Sequence, residues 1–262
     1  MSVSGSRILI AGDVDRVIVR LVDAAGTMAE SGLGDWALIG GLAVMMHLAE
    51  AHRVTADVDA AADDDDGRIE PALEVLIGEG RAHRDRGQLY VGEDTRVDVI
   101  AVYALPTELP DDDLDRAFLI ASRWAVTTAI VTEVSVTGSD GTILTSASFP
   151  IATPTALIAM KLQAHQRRDR PAEKKASDVY DIYRLLREHD HDGGGGVAEV
   201  LATAPGDLTA WSADTIEATF VSGAAHWSRQ LNVYGRGPQM GAVSAEDLEV
   251  VGSLAVERLR RT

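Results

Sequence analysis

Residues 36–61 read WALIGGLAVMMHLAEAHRVTADVDAA, and the fold turns on how this stretch is parsed. Trp36–Ile39 is a short apolar run, the length of a strand. Gly40 and Gly41 break it, and the apolar segment LAVMMHLAEAH that follows has the length and composition of a buried helix. From Thr55 to Ala60 the pattern alternates again as a strand. Asp57 and Asp59 flank Val58, and in a strand residues i and i+2 face the same side. Two adjacent carboxylates repel each other unless a cation lies between them. The Gly-Gly turn has no side chains, so its backbone N–H groups and the positive end of the helix are open to an anion. If the two strands are neighbours, an anion cradle and a carboxylate pair meet at one end of a sheet. Hard carboxylate oxygens suit Mg²⁺, which commonly bridges protein acids and substrate phosphates.

Outward from this stretch, a helix is expected over residues 13–30 and another over 69–80, the latter after the acidic turn ADDDDGR. Residues 88–91 and 96–102 read as a strand pair joined around 92–95. The β-branched segment 128–149, with a turn at Gly138–Gly141, is expected to add edge strands or a hairpin. In RVDVIA, Asp98 interrupts an apolar strand, which is costly unless the acid is paired, solvated or bound to metal. Asp98 beside the Asp57/Asp59 strand would complete a three-carboxylate site for one or two metal ions. There it would ligate metal or accept the proton of an attacking hydroxyl.

Composition changes at Phe149–Pro154, where Thr153 and Pro154 mark a helix start. Helices are expected over 154–168, 175–189, 215–231 and 244–261, with HDHDGGGG as a flexible linker. The expected fold class is α+β, with a mixed sheet and helices over residues 1–150 and a helical domain over 151–262.

The 262 residues carry 24 Lys+Arg against 41 Asp+Glu, a formal charge of −17, which argues against broad nucleic-acid or anionic-membrane binding. Against that background, residues 161–187 hold eight basic and four acidic residues, a local island suited to a triphosphate or an RNA backbone. Within it, Lys161 sits in the apolar helix ALIAMKLQA and must snorkel or find an anion. Asp178 and Asp181, three apart, share a helix face. Cysteine is absent, which removes disulfides and thiolate metal sites. No signal peptide or membrane-spanning run is read, so a soluble cytoplasmic protein is expected. Neither a P-loop nor a GxGxxG fingerprint is present. Aromatic residues make up only 5%, leaving few side chains for base stacking.

Two segments resemble a known family. IGGLAVMMHLAEAHRVTADVDA is similar to the first motif of the AbiEii/MenT-type nucleotidyltransferase toxins, within the DNA polymerase β-like superfamily. PTALIAMKLQAHQRRDRPAEKKASDVYDIYRLL resembles the lysine-bearing helix of that family and its DxxD helix. The sequence departs from the pattern at Gly41, where Ser is frequent in the superfamily, and in the insert RRDRPAEKKAS. The resemblance implies a nucleotidyltransferase-type sheet completed by the helical region. It further implies Mg²⁺ held by Asp57, Asp59 and Asp98. The nucleoside triphosphate would be contacted by Gly40, Gly41, Arg53, Lys161 and Asp181, with Lys161 and Asp178 assisting catalysis. Implied partners are a tRNA 3′ end as acceptor, bound through residues 161–187, and a cognate antitoxin. Two alternatives stand beside this: transfer to a small molecule such as an aminoglycoside or to a protein side chain, and a catalytically degenerate binding module.

Overall fold

The structure, a computed structural model, describes residues 7–11 (backbone only), 17–49, 55–92, 94–189, 196, 200–205, 207–234 and 242–261. The chain divides into two compact units, 1–104 with 125–153 and 105–124 with 154–262.

The first unit is built on one mixed sheet. Its strands are β1 (Arg7–Ala11), β2 (Trp36–Ile39), β3 (Asp57–Asp63), β4 (Ala82–Asp85), β5 (Gln88–Val91), β6 (Thr95–Val102), β7 (Ile130–Thr137) and β8 (Ile143–Ile151). The order across the sheet is β1-β7-β8-β2-β3-β6-β5-β4. β2 is buried along its whole length, as its unbroken apolar sequence requires of a central strand. It runs antiparallel to β3, and β3 runs parallel to β6.

Helix α1 (Val17–Ala29) buries Ile18, Leu21, Val22, Ala25 and Met28, the one-sided stripe of an amphipathic helix. Each large side chain so covered contributes roughly 1.5–3 kcal/mol. α1 lies so close to β8 that a Cβ on Gly26 would stand 2.9 Å from the Ala147 Cβ. Helix α2 (Gly40–Leu48) buries Gly41 through Met46, and His47 Nε2 meets the Ala152 carbonyl at 2.7 Å. Helix α3 (Ile69–Gly78) turns Ile69, Ala72, Leu73 and Leu76 inward. The acid tract before it serves its start. Asp64 Oδ1 accepts the Ile69 N–H at 3.0 Å, and Asp65 accepts the Ala104 N–H at 2.6 Å. The β4–β5 hairpin turns at Arg86 and Gly87, both at positive φ, as a two-residue turn matching strand twist demands.

The 128–149 segment is the expected hairpin but not an edge. β7 is flanked by β1, and β8 pairs β2 through Leu38 and Ile151. The short N-terminal strand takes the outer position instead, and β4 closes the other side.

The second unit is helical: α4 (Asp113–Thr127, its last turn in the first unit), α5 (Pro154–Gln166), α6 (Ala172–Glu188), α7 (Leu208–Ile216), α8 (Ala224–Tyr234) and α9 (Ala245–Leu259). Residues 105–124 join this unit although the sequence reading groups them with the sheet. The cause is local packing. Arg116 reaches Asp207 at 3.6 Å, Gln163 donates to the Leu114 carbonyl at 3.4 Å, and Ile120 faces Leu208 and Trp211. α7 passes into a five-residue π-helical segment, Glu217–Val221. α9 crosses that segment so tightly that a Cβ on Gly252 would meet the Phe220 Cβ at 2.4 Å. A capping box between Ser244 and Asp247 starts α9.

Candidate active site

At the end of β2 the chain enters α2 through Gly40, whose φ is +70°. Any other residue is strained there, and a second constraint is sharper. A Cβ on Gly40 would lie 2.0 Å from Asp59 Oδ2 and 2.7 Å from its Cγ. The Asp59 carboxylate thus occupies the space a side chain at position 40 would fill. β2 and β3 are antiparallel with Ile39 opposite Asp59, so the start of the helix comes beside the acid-bearing end of β3. Ile39, the N-cap residue, supplies no side-chain acceptor to the first-turn N–H groups. Their positive end favours negative charge nearby.

Along β3, Val58 and Ala60 are fully buried while Asp57 and Asp59 remain half-buried on the opposite face. Asp98 of β6 is the register partner of Asp59. Among the described residues, Asp57, Asp59 and Asp98 bring one carboxylate oxygen each to within 4.8 Å of one another. Thr55 Oγ1 reaches Asp57 Oδ1 at 3.5 Å. Arg96, two residues before Asp98 and so on its face of the strand, donates Nε to Asp98 Oδ1 at 3.1 Å and Nη2 to Oδ2. That hydrogen bond foremost raises the Arg96 pKa above its ordinary value; burial opposes it, and the charges of Asp98, Asp57 and Asp59 add to it.

These donors fit a hard divalent cation. Three oxygen ligands converge from two adjacent strands, and the glycine opposite leaves the Asp59 carboxylate room. Replacing Gly40 by alanine is expected to expel that carboxylate and add left-handed backbone strain of about 1–2 kcal/mol. A lowered melting temperature together with lost Mn²⁺ binding, read by circular dichroism and by titration, checks this.

The second unit holds the other sequence candidates. Lys161 of α5 is buried, its side chain 8% exposed, and its ammonium lies 2.7 Å from Asp181 and 3.2 Å from Asp178, both on α6. Arg170 Nε donates to the other oxygen of Asp178 at 2.5 Å. Asp181 is completely buried. The spacing of Asp178 and Asp181 on one face therefore serves the lysine directly, and Arg170 from the basic insert closes the network. Two of the three ammonium N–H donors of Lys161 are accounted for by these partners. Arg53 lies outside the described residues.

His165, one turn beyond Lys161, is buried against Trp227 and meets Thr219 Oγ1 at 2.9 Å. Burial, only partly opposed by Asp178, lowers its pKa from 6.5 to about 4. The unfolded chain takes up this proton near pH 6.5, whereas the folded chain refuses it until about pH 4. Stability is therefore lost as pH falls through that window, by about 3 kcal/mol in all. Urea unfolding at pH 7 and pH 5 should show this slope in the native chain and a flatter one in His165→Gln.

Arg96 and His165 were not singled out as site residues by sequence reasoning. For Arg96 the signal was present: an arginine two residues from an acid in a strand shares its face.

A strand–glycine–helix turn thus faces three clustered carboxylates in the first unit. The family model described as nucleotidyl transferase AbiEii toxin, type IV toxin–antitoxin system, matches residues 27–218, and the chain belongs to this family. Among solved structures, the chain is similar to an antigenic nucleotidyltransferase-like protein from Paracoccidioides brasiliensis. The identity is 17% over 64% of this chain and 76% of the other, with a TM-score of 0.41, too low to bear on function. No curated protein matches. Among the described residues, no helix is long and apolar enough to cross a membrane.

Proposed function

We propose that the protein transfers a nucleoside monophosphate from an NTP to an acceptor hydroxyl, with release of pyrophosphate, and that the acceptor is a tRNA 3′ end. The convergence of Asp57, Asp59 and Asp98 within 4.8 Å beside Gly40 carries this reading. These three acids would hold one or two Mg²⁺ ions. Magnesium held there would neutralise phosphate charge and lower the pKa of an attacking hydroxyl. Gly40, half-buried, leaves the start of α2 to a phosphate, where N–H groups and the helix dipole favour it, whereas Gly41 lies buried behind it and serves the packing of the helix. Lys161 is held by Asp178 and Asp181, and its role toward the nucleotide phosphates is the one the family resemblance implies. Both aspartates thereby act through the lysine.

Residues 161–187 offer the RNA backbone its positive charge. Arg167, Arg168 and Lys174 are exposed in that segment, although Arg167 also pairs with Asp169 at 3.0 Å. In a chain of charge −17 such a contact is local and salt-sensitive. As the toxin of a toxin–antitoxin pair, the protein would work in the cytoplasm and be restrained by a separately encoded antitoxin.

The test is incubation with each α-³²P-labelled NTP, Mg²⁺ and total tRNA. Label on tRNA that disappears in Asp59→Ala supports the reading. Label appearing only on a small molecule or on protein would replace the acceptor, and NTP binding without any transfer would overturn the enzymatic reading.

A further inference from the structure

The positive charge closest to the three-carboxylate cluster on its own strands is Arg96. β6 places it opposite Asp57 in register and two residues from Asp98, so its guanidinium shares the face on which the acids converge. It grips Asp98 through both oxygens, Nε on Oδ1 at 3.1 Å and Nη2 on Oδ2. This is the two-pronged geometry that only a guanidinium offers a carboxylate. The pair is open to water, with side-chain exposures of 40% for Arg96 and 41% for Asp98. An ion pair so exposed is individually weak and can part without disturbing the core.

A divalent cation shared by Asp57, Asp59 and Asp98 needs the same Asp98 oxygens. Its charge would also repel a guanidinium held a few ångströms away. We propose that Arg96 is a positioning residue that competes with the divalent cation for Asp98 and thereby sets the cation affinity of the site. This rests on Asp57, Asp59 and Asp98 being a cation site. Arg96 neutralises Asp98 as an internal counterion, and cation entry exchanges one positive partner for another. Affinity is tuned downward, so that loading responds to the cation concentration rather than saturating.

The experiment is a Mn²⁺ titration of the full chain, followed by the electron paramagnetic resonance signal of free Mn²⁺, for the native chain, Arg96→Ala, Arg96→Gln, Arg96→Lys and Asp59→Ala. Arg96→Ala and the closer isostere Arg96→Gln are expected to bind Mn²⁺ roughly three- to tenfold more tightly. Arg96→Lys, which keeps the charge but not the fork, should fall between them and the native chain. A residue that merely supports the strand would give the opposite sign, since its loss would loosen Asp98 and weaken binding. Equal or weaker binding in both neutral variants, with Asp59-dependent binding in the native chain, overturns the Arg96 inference alone. Absence of Mn²⁺ binding in the native chain and in both neutral variants overturns the cation site, and this inference with it.

Discussion

Truncating Lys161 to alanine is expected to destabilise the helical unit by about 3–5 kcal/mol, the usual cost of stranding a buried charge. Asp181 is wholly buried and Asp178 nearly so, and the lysine ammonium touches both. Removing it takes the ammonium away from both carboxylates, while Arg170 stays paired with Asp178. Urea denaturation monitored by circular dichroism measures the loss, with the two units' transitions fitted separately. The double variant Lys161→Met, Asp181→Leu removes the buried Lys161–Asp181 charge pair and leaves Arg170 with Asp178. It should recover much of the loss, because a buried pair exchanged for apolar groups of similar volume is often neutral. That variant also separates folding from chemistry. If it folds but its nucleotidyl transfer stays low, Lys161 contributes to catalysis directly. If transfer returns with stability, the role of the lysine is to hold α5 and α6 together.

Asp59→Ala is expected to show the opposite division, with function lost and stability kept. Deleting a carboxylate that gathers opposing charge in a transferase site should reduce transfer by about 10²–10³-fold, the scale for removing one such electrostatic contact. In EDTA the same substitution relieves repulsion among acids that lie within 4.8 Å of one another. At that separation the relief is about 1 kcal/mol in a water-like dielectric, suited to half-exposed groups. The melting temperature in EDTA is therefore expected to stay level or rise by a few degrees. A clear fall would mean that Asp59 is a structural acid. The contrast with Gly40→Ala is instructive: there the glycine change and the displaced carboxylate should lower stability and cation binding together.

The Gly-Gly turn and the DxD strand were legible because both are local. A break in an apolar run and a period of two are properties of consecutive residues, and they suffice to orient Asp57 and Asp59 alike. Asp98 was legible as an anomaly, an acid in an apolar strand. Most helices from Pro154 onward were readable from their periodicity, and the acid tract at 63–66 from its place before a helix. Among the described elements, β1, β4, α4 and most of α7 escaped. β4, AHRD, carries no apolar pattern, and β1 is a five-residue strand. α4 is amphipathic with three charged residues in its first four, DLDR, and it follows the Pro- and Asp-rich stretch 105–112, which reads as loop.

By itself, then, the amino-acid sequence determined the strand–turn–helix–strand order around Gly40, the shared orientation of Asp57 and Asp59, and the helical character of the second half. Tertiary structure alone decided that Asp98 stands opposite Asp59, that Arg96 holds Asp98, that β7 and β8 lie inside the sheet, and that Lys161 is clasped by Asp178, with Arg170 on its far oxygen, and by Asp181. The physical reason is range. Backbone periodicity and turn chemistry act over a few residues, whereas strand register and buried charge pairing depend on which distant segments exclude water together.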